Sequence, residues 1–367
     1  MPVRPSFFVF RAAPFRAPCV LYNEAGFAPF YFYYWEERPV YTIENHDTRP
    51  QHNLALEEYL CRLAAREGSE FFMLWQNEPT IVVGRFQSTL SEINGDFVKR
   101  HGIHVIRRNS GGGAVYHDLG NINYSFVRAD LGEFDFAFFT QPIIDALGKL
   151  GVHAELSGRN DIAIDGKKIS GGAQYRHGGI AMHHGTLLFD EDLDVLSQAL
   201  NVDAAKFKSK GVQSVRSRVT NVKPHMPNAG DMTARDFMAL LQDQIQGLTP
   251  RTLTEEDGRE VQKLMDEKYS TWEWNYGTSP AFTEARRERF PWGGVEARLS
   301  VQDGRVTGCT FFGDYFGTGD YGPLLSRILG TPYTREALHE ALSGFEPGEM
   351  FAGASGADVE KLLTPEV

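Results

Sequence analysis

Cysteine is scarce in this chain of 367 residues: there are three, Cys19, Cys61 and Cys309, far apart and without a Cys-x-x-Cys pair. An odd, dispersed set argues against a disulfide scaffold and against a zinc site, and it suits a reducing compartment. Apolar runs of the ~18 residues that a membrane-spanning helix needs are also missing. The expected location is therefore cytoplasmic, with no membrane partner. Basic charge is in deficit, since 37 Lys and Arg stand against 48 Asp and Glu for a net charge of −11. Affinity built mainly on a phosphate backbone is not expected, so nucleic acid is not the main partner. The glycine loop Ser110-Gly111-Gly112-Gly113 has neither the P-loop spacing nor the glycine spacing of a dinucleotide fold.

What is present describes a folded protein. Hydrophobic residues at 42%, charged residues at 23%, 37 Gly and 18 Pro are ordinary fractions, which removes collagen-like and globally disordered readings. The length suggests two domains. One segment is unlike the rest: Phe27 to Trp35 reads FAPFYFYYW, seven aromatics in nine residues. Arg4, Arg11 and Arg16 precede the first acid, Glu24, a bias shared with transit peptides, yet Pro2, Pro5, Pro14 and Pro18 break the amphipathic helix such a peptide needs.

From about residue 40 the patterning becomes regular. Asn53 reads as a helix start, and Leu54, Leu56, Tyr59, Leu60 and Leu63 carry helical spacing to about 66. FFMLWQN and TIVVGRF, separated by Asn77-Glu78-Pro79, read as a hairpin. A helix over 94–101, a strand over 104–108, a strand over 121–127 and a helix over 136–151 ending at Gly151 follow. Asp165-Gly166 between two apolar runs is a hairpin signal, and 179–190 is the next strand. Residues 222–234, rich in Pro, Gly and Asn, read as a linker or mobile connection, and a boundary is expected near 245–255. Beyond it, a hairpin around Asp303-Gly304 and a helix over 333–342 suggest a small second domain. Strands joined by hairpins rather than regular βαβ units predict an α+β fold with a mixed or antiparallel sheet.

The chemistry concentrates in four places. RRNSGGGAVYHDLGN delivers Arg107 and Arg108 into a glycine loop, cations beside unshielded backbone N–H groups, an arrangement that suits phosphate. A tight turn that merely needs glycine at positive φ is the alternative. GRNDIAIDGKKISGG sets Asn160 and Asp161 opposite Lys167 and Lys168 if the hairpin forms. Such a lysine can place its charge on a carboxylate and a phosphate together, while Asn160 and Asp161 suit a nucleobase, a ribose or a Mg²⁺-bound phosphate. His183 and His184, adjacent on a strand, must face opposite ways, so one lines a pocket and no metal site is expected. Arg216 and Arg218 in GVQSVRSRVTN are either solvated or an anion-handling flap.

Together, NLALEEYL, TIVVGRFQ, RRNSGGGAVYHDLGN, GRNDIAI, KKISGGAQYR, HHGTLL, GVQSVRSRVTN and TWEWNYG resemble the lipoate-protein ligase family in order and spacing over about 40–345. The resemblance implies a biotin/lipoate protein ligase-type catalytic domain over 40–245 and a small α+β accessory domain over 250–350. It implies ATP-dependent formation of lipoyl-AMP, with Mg²⁺, followed by transfer to a lysine of a lipoyl domain of 2-oxoacid dehydrogenase complexes or of the glycine-cleavage H protein. By motif position Arg108, Gly113, Ala114, Val115, Tyr116 and Lys168 would contact ATP or the adenylate. Trp75, Arg107, Gly112, Lys168 and His184 would surround lipoate. A transferase using preformed lipoyl-AMP is the near alternative. An ATP-independent octanoyl or lipoyl transferase would need a cysteine nucleophile near the Lys168 hairpin, where this chain reads SGRND. The likeness begins at about Val40, so residues 1–39 read as an atypical extension. A start assigned too far upstream is the expectation, and a true extension the alternative.

Overall fold

The computed structural model describes residues 39–87, 89–129, 135–200, 218–276, 284–302 and 304–365. The aromatic-rich segment and Arg216 lie outside them, as does Asp303 of the second predicted hairpin.

The large sheet has eight strands in the order β11-β1-β2-β6-β10-β9-β8-β7. Its members are β1 (Val40–Thr42), β2 (Glu70–Trp75), β6 (Asn121–Ala129), β7 (Glu155–Ser157), β8 (Asp161–Ile164), β9 (Lys167–His177), β10 (Ile180–Leu188) and β11 (Leu248–Pro250). The pairs β11-β1 and β1-β2 are parallel, and the rest are antiparallel. A small sheet orders β4 (His104–Arg107), β3 (Thr80–Val83) and β5 (Val115–His117). The accessory sheet is the antiparallel meander β12 (Glu284–Phe290), β13 (Gly293–Gln302), β14 (Arg305–Gly313). The architecture is α+β with a mixed sheet, as expected.

One face of the large sheet is covered by helix α1 (Pro50–Glu67), whose Leu56, Leu60 and Leu63 pack with Phe71, Met73 and Trp75. The opposite face meets the helix over Phe136–Lys149, where Phe139 packs against Phe126, and the helix over Ala234–Gln244, where Phe237 stacks on Phe189. Alternation along β10 sends His183 to this second face and His184 to the α1 face.

Several sequence expectations change in the fold. Helix α1 starts at Pro50, where a missing N–H costs nothing, and ends at Gly68 with φ 68°. Asn53 is therefore not a cap but a buried residue of the first turns. β2 and β3 do not form a hairpin. No residue from 76 to 79 has the positive φ of a two-residue turn, and the chain passes from one sheet to the other there. The Asp165-Gly166 turn does form, both residues left-handed at φ 49° and 74°. The segment 222–234 is anchored at its start, where Val222 is buried and donates its N–H to Leu188 O at 2.7 Å, and again at the buried Ala229 and Ala234. Past residue 245 the chain stays with the large sheet. β11 pairs with β1, and the helix over Glu255–Leu264 packs on α1, Asp257 accepting a hydrogen bond from the Tyr59 hydroxyl.

Candidate active site

The glycine loop is held by arginine. Arg108, buried, donates from Nη2 to Gly111 O at 2.7 Å and Gly113 O at 2.8 Å, from Nη1 to Val82 O at 3.0 Å and from Nε to Ser110 Oγ at 2.9 Å. Burial, with Arg107 adding repulsion against the attraction of Glu57, lowers its pKa to about 10, so it stays cationic at neutral pH. Of the three glycines only Gly112 has positive φ, at 91°. Gly111 answers to close approach, since a Cβ there would lie 2.3 Å from Tyr315 O, and so does Gly84 of the neighbouring strand end, where a Cβ would lie 2.0 Å from Gly112 O. Gly113 has open space beside it.

Arg107 points the other way, since successive residues of a strand alternate. Its Nη1 donates to the carbonyls of Gly84, Arg85 and Gln87 at 2.7–2.9 Å, Nη2 to Thr89 Oγ1 and Nε to Trp274 O. Trp274 Nε1 returns a bond to Arg107 O at 2.8 Å, and Arg107 N donates to Asn275 Oδ1 at 2.9 Å. The TWEWNYG run therefore fastens the strand that carries the loop. Just before that run, Lys268 and Tyr269 converge on Glu58 Oε2, each at 2.7 Å, with Asn109 Nδ2 at 3.0 Å. Burial alone would raise the Glu58 pKa, but the Lys268 charge and these three donors outweigh it and lower it to about 2.

Across from the loop, Lys168 Nζ lies 2.8 Å from Asp161 Oδ1, joined by the hairpin β8-β9. Asn160 is clamped to Gly172, Nδ2 donating to Gly172 O and Gly172 N donating to Asn160 O, both at 2.7 Å. Lys167 is exposed. The chain returning from residue 218 touches the hairpin as well, Thr220 N donating to Lys168 O at 2.9 Å.

Beneath the loop runs a buried polar chain. Trp75 Nε1 donates to Ser125 Oγ at 2.9 Å, and Ser125 donates to Glu57 Oε1 at 2.6 Å. Glu57 takes the His184 Nδ1 hydrogen at 2.8 Å, and His184 Nε2 meets Ser110 Oγ at 2.6 Å. Ser-His-Glu order is that of a hydrolytic triad. Here Ser110 is 1% exposed and its hydroxyl also accepts from Arg108, so the array orients His184 and the loop rather than offering a nucleophile.

Between loop, hairpin and α1 lies a cavity of about 160 Å³. Trp75, Arg108, Gly112, Gly113, Ala114, Val115, Asn160, Lys168 and His184 line it, and Asp161 stands behind Lys168. Two expected residues are not brought to it. Arg107 faces the 272–275 segment, and the Tyr116 side chain packs with Ile81 and Phe97 on the far face of β5. A second cavity, at the end of β1 beside Asp47 and Arg235, holds none of the motif residues. Sequence reasoning missed Glu57, His117, Asn123, Thr186 and Phe316. An acid on the apolar stripe of α1, four residues after Asn53 and three before Leu60, was the available signal for Glu57, because a buried carboxylate demands partners. Phe316 comes from the accessory part, whose Tyr315 O accepts the Gly112 N–H at 3.1 Å, and nothing local announces that approach.

Among the described residues no group of three His, Cys, Asp or Glu could hold a metal by itself. Neither described cysteine lines the cavity. Cys61 is buried in α1, where desolvation pushes its thiol pKa well up, and burial raises that of Cys309 to about 12. No helix among the described residues is long and apolar enough to cross a membrane.

Fold and site define an α+β enzyme that brings cations, a glycine loop and an apolar recess to one cavity. Residues 49–246 match the family model of the lipoyl protein ligase A/B catalytic domain, and residues 279–363 match that of the bacterial lipoate protein ligase C-terminus. The chain belongs to the lipoate-protein ligase family. It is 40% identical over 322 residues to the lipoate-protein ligase LplJ of Bacillus subtilis, covering 86% of this chain and 96% of that one. A solved bipartite lipoate protein ligase of Thermoplasma acidophilum, described with its E2 lipoyl domain, is 30% identical at a TM-score of 0.58, covering 66% of this chain and 98% of its own. A lipoate-protein ligase A bound with ATP is 29% identical at a TM-score of 0.54, covering 65% and 98%.

Proposed function

We propose that this enzyme ligates lipoate to a lysine of lipoyl domains in two steps, with ATP as the second substrate. In the first, a lipoate carboxylate oxygen attacks the α-phosphorus of ATP. The bond to the β-phosphate bridging oxygen breaks, and pyrophosphate leaves. In the second, the acceptor amine attacks the carbonyl of lipoyl-AMP, AMP departs with the bonding pair, and the amine proton passes to solvent.

The observation that carries this reading is Lys168, held by Asp161 at the cavity wall opposite a glycine loop whose carbonyls are clamped by Arg108. Two anions must meet in the first step, so fixed cations that need no reorganisation lower the barrier. Lys168 serves both substrates, binding the lipoyl carbonyl and the phosphate. Gly113, Ala114, Val115, Asn160 and Asp161 serve the nucleotide, while Trp75, Gly112 and His184 surround the acyl chain. Arg107 and Tyr116 act behind the site, by holding its strands. Mg²⁺ enters with the nucleotide, as it commonly does when phosphates supply much of its coordination, and Asp161 is the carboxylate best placed to meet it. The ion neutralises phosphate charge. We assign 40–245 to this chemistry, with 248–276 buttressing the catalytic sheet, and the remainder of 250–350 to the accessory part. The acceptors are lipoyl domains of 2-oxoacid dehydrogenase complexes or the glycine-cleavage H protein, in the cytoplasm.

The test is intact-mass analysis of an apo lipoyl domain incubated with the protein, lipoate and Mg·ATP, with pyrophosphate followed in parallel. Pyrophosphate release and an acceptor heavier by one lipoyl group are expected. Transfer from supplied lipoyl-AMP without pyrophosphate release from ATP would make the enzyme a transferase instead. Acceptor modification that needs neither nucleotide would point to the ATP-independent class.

A further inference from the structure

One ring nitrogen of a residue that lines the cavity is left without a partner, and the hydrogen-bond chain behind that residue decides what the atom offers. Asn53, fully buried in α1, donates from Nδ2 both to Gln76 O at 2.7 Å and to Asn77 Oδ1 at 2.9 Å. A peptide carbonyl only accepts, so the Asn53 amide can face only one way, and Asn45 Nδ2 donating to its Oδ1 at 2.8 Å agrees. Asn77 must then present its own Nδ2 to His117 Nδ1, at 3.1 Å. His117 accepts at Nδ1.

Burial, with Arg108 and His184 nearby, depresses the His117 pKa to about 3, so the ring is neutral at physiological pH. A neutral imidazole that accepts at one nitrogen carries its hydrogen on the other. Nε2–H is buried and has no hydrogen-bond partner among the described residues. His117 lines the cavity at its Trp75 end, the two rings edge to face with centroids 6.3 Å apart. Lys168 is on β9, three strand spacings from Trp75 on β2, or about 14 Å. A chain whose carboxylate is at Lys168 therefore points its far end toward His117.

The geometry assigns to His117 the role of a specificity-determining residue, whose Nε2–H donates to a ring sulfur of the dithiolane and so favours lipoate over a plain eight-carbon acid. The assignment rests on the ligase reading above. A saturated alkyl end leaves the buried donor unpaired, whereas a sulfur, although a weak acceptor, satisfies it. Asn45, Asn53 and Asn77 are positioning residues that keep the hydrogen on Nε2.

The test uses the intact wild-type chain and three ligands: lipoate, octanoate, and cyclopentyl-pentanoate, in which methylenes replace the two sulfurs of the same ring. Binding is followed calorimetrically and by adenylate formation. Lipoate is expected to bind about tenfold tighter than the carbocyclic acid, the order set by one weak hydrogen bond. Equal affinity would overturn the proposal and leave the donor to an ordered water. His117→Leu should remove the lipoate preference with octanoate little changed, and His117→Gln, which keeps a donor, should restore part of it. Equal losses for both acids in His117→Leu would reduce His117 to a structural role and also overturn the proposal. If none of the three acids binds, the ligase reading itself fails, an outcome distinct from binding without discrimination.

Discussion

Lys168 Nζ and Asp161 Oδ1 meet at 2.8 Å because Gly171, paired with Asp161 across the hairpin, has no side chain; a methyl there would lie 2.6 Å from Nζ. The pair is about one-third exposed, so it contributes little to stability. Its value is positional. Lys168→Ala should abolish pyrophosphate release in the presence of lipoate and ATP, while urea unfolding shifts by no more than about 1 kcal/mol. Full turnover by the variant would remove Lys168 from the chemistry.

Gly171→Ala tests position without removing charge. The new methyl must displace the ammonium, and misplacement of a catalytic group by about 1 Å can lower a rate by ~10²-fold. A fall of at least tenfold in kcat with an unchanged melting temperature is expected. Unchanged kcat would mean that the amine finds its place by another rotamer.

Gly84 and Gly113 should separate folding from catalysis. Gly84→Ala puts a Cβ 2.0 Å from Gly112 O, backbone against backbone, and should cost several kcal/mol in denaturant unfolding, about 3 by comparison with other overpacked sites. Gly113→Ala meets nothing within 4 Å and should fold normally, yet it narrows the cavity and should raise KM for ATP. A stable, fully active Gly84→Ala enzyme would contradict the close approach.

Glu58 sets an acid limit on stability. Its pKa falls from 4.5 to about 2 on folding, so the folded state favours the ionised form. That stabilisation is complete above pH ~4.5 and disappears as the pH drops toward 2, amounting to about 3 kcal/mol. Glu58→Gln should therefore be less stable than wild type at pH 6–7, with the difference shrinking between pH 4.5 and 2 in chemical unfolding. A difference independent of pH would show that packing, not charge, is what Glu58 contributes.

Much of the fold was legible because its signals are local. The Asp165-Gly166 turn needs only two residues that tolerate left-handed backbone, and the α1 stripe needs only helical spacing. Strand partners are not local. FFMLWQN and TIVVGRF each read as strands, but which sheet each joins depends on partners up to 56 positions away, as Phe71 is from Val127, and the apparent hairpin was the casualty. Arg107 and Arg108 look equivalent in sequence. Strand alternation sends one to the 272–275 segment and the other to the glycine loop, and only the packed sheets say which is which.

The sequence by itself determined the family, the reaction class and about half of the residues that line the cavity, because those depend on residue types at fixed spacings within continuous motifs. The tertiary structure alone decided how those motifs face one another. It turned Asn53 from a supposed helix cap into the amide that orients Asn77 and, through it, His117. It joined Glu57 of α1 to His184 of β10, 127 residues apart. Such pairings form because a buried donor or acceptor must find a partner wherever the chain brings one, and that choice belongs to packing rather than to sequence order.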